Sequence, residues 1–291
     1  PALPVSIRFA IGLGPFAGCG DIGSRSASRL VSDFDCFGLK RNPQTLADFI
    51  FPLAGSMTDL DLMVEVLNQE FDVVVATLTP DGFNPDAYRR AYVESAKTLA
   101  AAMALTSSQP KLVIWVSSTS VYGNCKGGWV DEASPTKPES FSGNLLLEAE
   151  QHISALPCAS VIVRFSGIYG PGRTRMLDQI LAGKGRPAQP QQWSNRIYSE
   201  DCAGVLAHLV RAFEAGKALE NLYIATDCAP VTQHDLRVWL AQQLDVELED
   251  EIVEQKAIRR CSNQRLLDSG YKFRYPSYKE GYQSLIDARL K

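Results

Sequence analysis

At 291 residues, 45% of them hydrophobic, the chain is long enough for one large α/β domain or for a large and a small lobe, and wholesale disorder is excluded. Its formal net charge of −4 argues against a nucleic-acid or anionic-membrane surface, and no run nears the roughly 18 apolar residues of a membrane span. Seven cysteines, an odd number without Cys-x-x-Cys spacing, suit reduced thiols in a cytoplasmic protein, and the scattered His152, His208 and His234 make no metal-ligand pair.

In chain order, the first informative stretch is Phe16–Arg29, FAGCGDIGSRSASR. Two glycine frames compete there: Gly12-x-Gly14-x-x-Ala17 and Gly18-Cys19-Gly20-Asp21-Ile22-Gly23. The first would put Gly18, Gly20 and Gly23 inside a helix, each costing roughly 1 kcal/mol relative to Ala. The second opens a helix over about Asp21–Asp33 with Ile22, Ala27 and Leu30 buried, then a strand over Asp35–Leu39, which is the βαβ context a dinucleotide turn requires. The second frame is preferred, with Pro15 awkward beside the first strand and residues 1–12 unassigned. In that frame Gly18 makes the tight turn, Gly20 lets the backbone approach a pyrophosphate and Gly23 packs the helix on the strand.

The strand ends in Lys40-Arg41, where an NAD binder carries an acid for the ribose hydroxyls. Two cations there, with Arg25 as a third, point to the 2′-phosphate of NADP, with NAD the alternative. Further on, Asp72–Thr77, Lys111–Ser117 and Ser160–Arg164 read as buried strands, and Tyr88–Leu105 and Gly143–Ala155 as helices. The alternation predicts an α/β Rossmann fold, a doubly wound parallel sheet, with a smaller C-terminal substrate lobe. The dinucleotide-binding domain is read over 13–170, completed by about 197–226, and the lobe over 171–196 and 227–291. Within the second half Asp201–Ala215 and Gln233–Leu244 read as helices, Asn221–Thr226 as a strand, and the tail from Asp245 shows weak periodicity. The 173–198 insertion and Arg259-Arg260 are the stretches placed to meet a phosphate or carboxylate of a substrate.

Four segments sharpen this: SSTSVYG (Ser117–Gly123), WVDEASPTKP (Trp129–Pro138), RFSGIYGPGR (Arg164–Arg173) and NRIYSEDCA (Asn195–Ala203). With GCGDIG, and in that order, they resemble the extended and atypical short-chain dehydrogenase/reductases, the NAD-dependent epimerase/dehydratase group, over roughly residues 15–291. The resemblance implies that Gly18, Cys19, Gly20, Asp21, Ile22 and Gly23 hold the pyrophosphate and that Lys40 and Arg41 discriminate at the ribose. It implies further that Met57 lies near the adenine, Thr77 near the cofactor, and Phe165, Ser166 and Gly167 on the nicotinamide side. Ser56 departs from the acid usual at its position. Ser118 takes the place of the family's active-site hydroxyl, which hydrogen-bonds the reacting oxygen. A small-molecule substrate and a homodimer are family expectations too.

One departure stands out. The family's proton chemistry uses a Tyr and, four residues on, a Lys that lowers the phenol's pKa. Here the helix reads FSGNLLLEAEQ from Phe141, with Ser142 and Leu146 in those places, or Phe141 and Leu145 one residue earlier. Tyr122 is a substitute acid close to Ser118 in sequence, and Asp131 and Glu132 are second candidates. The chain therefore reads either as an NADP-dependent oxidoreductase or epimerase using Ser118 with a substitute acid or a bound water, or as an NADP(H)-binding sensor without turnover.

Overall fold

The computed structural model describes residues 8–13, 19–251 and 259–289. Seven strands form the main sheet: β1 (Arg8–Leu13), β2 (Asp35–Lys40), β3 (Phe51–Ala54), β4 (Val73–Thr77), β5 (Leu112–Ser118), β6 (Ala159–Phe165) and β7 (Leu222–Ala225). Their spatial order is β7-β6-β5-β4-β1-β2-β3. β1 lies parallel to both β2 and β4, with Gly12 opposite Leu39 on one side and Ala76 on the other, and β2–β3 and β4–β5 are parallel as well. The chain thus builds outward from β1 in one direction and returns to build in the other. Ligands of such sheets bind beyond the carboxyl ends of the strands where this order reverses.

The β-branched run of β4 explains its central place, since all five of its residues are buried. Val73, Val75, Ile114 and Trp115 are fully buried. Fully burying such a side chain contributes roughly 1.5–3 kcal/mol. Helix α1 (Cys19–Leu30) buries Ile22, Ala27 and Leu30, the positions its sequence pattern selects, but starts earlier and ends three residues sooner than Asp33. It begins at Cys19, and Gly12 is paired within β1, while Gly18 and Pro15 lie outside the described residues. Within the stretch whose role the sequence leaves open, Arg8–Leu13 forms the first strand, and residues 1–7 lie outside the described residues.

Two further elements escape the sequence reading. Edge strand β3 and helix α2 (Leu60–Leu67) lie between β2 and β4. The long helix expected over Tyr88–Leu105 is composite, a π-helical turn over Arg89–Glu94 leading into α3 (Ser95–Leu105). Helix α4 (Phe141–Ser154) begins where the Ser140 hydroxyl accepts from Gly143 N at 3.1 Å, an N-cap that satisfies one of the open amides of the first turn. Helix α5 (Ser199–Glu214) precedes β7.

The described residues divide into two compact units, the first drawn from 1–121, 140–164 and 203–223 and the second from 122–139, 165–202 and 224–291. The second has its own core, in which Tyr169, Tyr198, Leu236, Leu240, Tyr282 and Ile286 pack together. Its buried Asp201 accepts from the Tyr271 hydroxyl at 2.8 Å and from the amides of Arg274 and Tyr275 at 2.8 and 2.9 Å, which ties the segment 271–275 to that carboxylate. The weakly periodic tail is more ordered than its pattern predicts, because Tyr278–Arg289 forms a helix that buries Tyr282, Leu285 and Ile286.

Candidate functional site

In the first unit the carboxyl ends of β2, β3 and β4 surround one cavity, lined among others by Arg41, Ser56, Met57, Leu78, Asp81 and Arg90. Met57 and Leu78 are buried and give it an apolar floor. Ser56 and Thr58 bring hydroxyls, joined by a 2.9 Å hydrogen bond. Gly55 also lines it, at φ +148°, where a Cβ would stand 2.0 Å from Leu62 Cδ2, so only glycine fits without displacing α2's leucine. The exposed guanidinium of Arg41 reaches Asp81 at 3.5 Å. Arg90, on the π-helical turn, supplies a second guanidinium that sequence reading misses, because 49 positions separate it from Arg41 and no motif marks it. Apolar Met57 and Leu78, the hydroxyls of Ser56 and Thr58, and the charged Arg41, Arg90 and Asp81 together give a lining that suits a nucleotide, with an apolar part for a base and polar groups for its sugar and phosphate.

The remaining positions singled out from sequence fall as follows. Cys19 and Gly20 open α1, Gly23 is buried within it, and Asp21 forms an ion pair with Arg25 one turn on. Lys40 donates from Nζ to Thr45 Oγ1 at 2.6 Å and does not line the cavity that Arg41 enters. Thr77 is buried at the end of β4. Phe165 and Ser166 are buried, and the Ser166 hydroxyl has no hydrogen-bond partner among the described residues. Gly167 is exposed and faces a cavity of the second unit.

At the end of β5 the Ser118 hydroxyl accepts from Ser120 N at 3.1 Å. That bond occupies a lone pair and leaves the O–H proton for another acceptor. Tyr122 sits in the second unit with 1% exposure, its hydroxyl donating to Asp131 O at 2.8 Å. A phenol held this way braces a loop rather than facing solvent. Its literal Tyr-x-x-x-Lys partner, Lys126, lies in a turn at φ 51° and not on a shared helix face. Asp131 caps the same loop, its carboxylate accepting from Ala133 N and Ser134 Oγ, and the Ser134 bond first of all holds it below the usual carboxylate range. Glu132 Oε1 accepts from Ile224 N at 2.8 Å, and Arg265 lies 3.8 Å from its other oxygen. Both acids are structural in this conformation.

Helix α4 is where a Tyr and Lys would stand. Ser142 and Leu146 are buried there, and so is Leu145. Phe141 joins Phe83 and Tyr88 in an aromatic cluster, with ring centroids 5.0 and 5.5 Å away. The helix is held by chemistry that sequence reading did not single out. Buried Glu150 takes two bonds from Arg164 on β6, at 3.0 and 2.6 Å, and one from Ser117 Oγ on β5 at 2.6 Å. Every carboxylate oxygen is thus engaged, as a buried charge requires. Arg259 and Arg260, read as candidates for a substrate anion, instead spend donors on backbone carbonyls, Gly123 O at 3.5 Å and Gly127 O at 2.8 Å, and Arg260 also stacks over Trp129 and Trp193.

Comparison with known proteins agrees with this architecture. Residues 18–225 match the NAD dependent epimerase/dehydratase family. Protein YeeZ of Escherichia coli K12 is 31% identical over 202 residues, which span 69% of this chain and 64% of YeeZ. A Methylobacillus flagellatus structure described as an NAD-dependent epimerase/dehydratase is 32% identical with a TM-score of 0.81, covering 99% of this chain and 100% of its own. The human epimerase family protein SDR39U1, solved with NADPH, shares the fold at 18% identity and TM-score 0.76, covering 94% and 97% of the two chains.

Proposed function

Because the chain belongs to the NAD dependent epimerase/dehydratase family, we propose that it binds a nicotinamide dinucleotide, NADP in preference to NAD, and acts as an oxidoreductase or epimerase on a small, sugar-like substrate. The observation that carries the cofactor preference is the pair of guanidiniums, Arg41 and Arg90, lining the cavity at the ends of β2–β4 beside one carboxylate, Asp81, with Arg41 itself at the end of β2, where an NAD binder would place an acid. The family name refers to NAD, whereas SDR39U1 was solved with NADPH, so the choice rests on those two side chains. Met57 and Leu78 would hold the adenine, Arg41 and Arg90 the 2′-phosphate, and the start of α1 the pyrophosphate.

When bound, the nicotinamide supplies hydride transfer. This chain's part would be positional: the Ser118 O–H would donate to the reacting oxygen, and the reacting proton would be exchanged with bulk solvent through a water, since α4 offers neither phenol nor ammonium. A second reading, an NADP(H) sensor without turnover, is favoured by the apolar Leu146 and the buried Ser142 in place of the reactive pair. A cytoplasmic protein fits both, as Cys36, Cys125, Cys158, Cys202, Cys228 and Cys261 form no disulfide and burial pushes the Cys36 thiol up to about 11, away from reactive thiolate chemistry.

Fluorescence titration with NADPH and NADH tests the reading. Tighter NADPH binding is expected, and Arg41→Ala should weaken it about tenfold or more while leaving NADH nearly unchanged, the scale of one charged phosphate contact of ~1.5–3 kcal/mol. Equal loss for both cofactors would remove Arg41 as the discriminator.

A further inference from the structure

The cavity at the ends of β2–β4 carries an acid that the cofactor assignment leaves unused. Asp81 is the one carboxylate among its described lining residues, alongside the guanidiniums of Arg41 and Arg90. The two cations are not matched alike. Arg41 Nη2 lies 3.5 Å from Asp81 Oδ1, whereas no acid pairs with Arg90 among the described residues. Arg89, next in the chain, is engaged elsewhere and donates to Glu148 at 3.1 Å. A cavity built only to attract a phosphate would gain nothing from a carboxylate on its wall, because like charges sharing one site repel.

Asp81 stands on a bend between two secured points. On one side the carbonyl of Leu78, just past β4, accepts from the Tyr92 hydroxyl at 3.3 Å. On the other the Asn84 side chain accepts from Ala87 N at 2.9 Å and caps the short helix Pro85–Tyr88. Phe83 extends that second anchor, its ring 5.6 Å from Tyr88 and 5.0 Å from Phe141. A loop tied at both ends keeps the carboxylate beside Arg41. The ion pair itself is loose: the two side chains are 45% and 34% exposed, and 3.5 Å is long for a charge-assisted hydrogen bond. Exposed pairs of this kind contribute little and are screened by salt. A phosphate dianion brings more charge and several oxygens that match the guanidinium fork. It therefore takes Arg41 over, breaking the pair as it does so.

We propose that Asp81 is an internal competitor for the 2′-phosphate of NADP, occupying Arg41 until the phosphate displaces it and so setting how sharply the site separates NADP from NAD. This role rests on the assignment of the cavity to the dinucleotide and deepens it. Arg41 and Arg90 supply the attraction, and Asp81 subtracts from it for phosphorylated ligands alone, since an unphosphorylated ribose leaves the pair in place. The result is a site that binds NADPH less tightly than its two arginines allow. Such a site also releases NADPH faster, because affinity differences among closely related complexes lie mostly in the dissociation rate.

The test is isothermal titration of the full chain with 2′,5′-ADP and 5′-AMP, which differ only in the 2′-phosphate, and with NADPH and NADH in parallel. The wild type is expected to prefer 2′,5′-ADP. Asp81→Asn keeps the side chain's shape and drops its charge, and at so exposed a position it should leave Tm unchanged. It should tighten 2′,5′-ADP and NADPH about three- to tenfold and leave 5′-AMP and NADH within about twofold. In an Arg41→Ala background the same change should alter 2′,5′-ADP binding by less than about twofold, because the two side chains act as a coupled pair. A ratio of 2′,5′-ADP to 5′-AMP affinity that Asp81→Asn does not raise, or an equal gain with and without Arg41, overturns the competitor role. A wild type that does not favour 2′,5′-ADP removes the NADP assignment and the competitor with it. A wild type that favours 2′,5′-ADP while Asp81→Asn changes nothing refutes the role of Asp81 and leaves the NADP assignment standing.

Discussion

At the scale of single residues, two buried acids behave in opposite ways because of their partners. Glu150 has Arg164 and Ser117 on its oxygens. Removing the carboxylate takes from the buried Arg164 guanidinium the charge that accepts two of its bonds, and Glu150→Ala is expected to lower stability by about 3–5 kcal/mol in urea unfolding. A loss below about 1 kcal/mol would show the pair to be dispensable. Asp227 has one backbone donor, Ala229 N at 3.1 Å, and a second oxygen that is buried and unsatisfied, and desolvation raises it from 3.8 to about 7. The folded chain therefore binds this proton more tightly than the unfolded chain. The stabilisation is complete below about pH 4 and is lost as pH rises toward 7, a difference of at most about 4 kcal/mol. Asp227→Asn, which keeps the acceptor for Ala229, should match the wild type near pH 4 and exceed its Tm at pH 8. Parallel pH profiles for the two proteins would contradict that assignment.

At the scale of elements, legibility followed the strength of the local signal. The runs that became β4, β5 and β6 are continuous and β-branched, so burial on both faces could be read directly from them. The edge strand β3 could not: it is four residues, FPLA, mostly exposed, and Pro52 is tolerated only because an edge has an open side. The helix Tyr278–Arg289 buries Gly281, Tyr282, Leu285 and Ile286, a stripe too short and too interrupted to stand out. Arg259 and Arg260 show the limit of reading charge from sequence: a basic pair suggests an anion, yet both donate to backbone carbonyls, Gly123 O and Gly127 O. Gly55 shows how one turn can matter to a whole cavity. Gly55→Ala places a Cβ against Leu62 at a positive φ, and should cost about 1–3 kcal/mol while weakening dinucleotide binding. Unchanged affinity would mean that α2 gives way without disturbing the cavity. The α4 N-cap offers a milder probe, with Ser140→Ala expected to cost about 1 kcal/mol in chemical denaturation.

At the scale of the whole molecule, fold and chemistry separate. The sheet order, the family match and the cavity at the ends of β2–β4 argue together for a dinucleotide-binding protein, whereas α4 carries the side chains least suited to the family's proton transfer. Ser118→Ala decides which reading describes the protein. An enzyme should lose most of its turnover with unchanged NADPH affinity, while a sensor should show no turnover before or after the change. The Glu150–Arg164 bond has a consequence at this scale as well. It clamps α4 to the strands on either side of it by contacts that owe nothing to residues 142 and 146. The contact that anchors the helix and the positions that would carry proton transfer are therefore different side chains, so a proton-transfer pair could be built at 142 and 146 without touching the anchor.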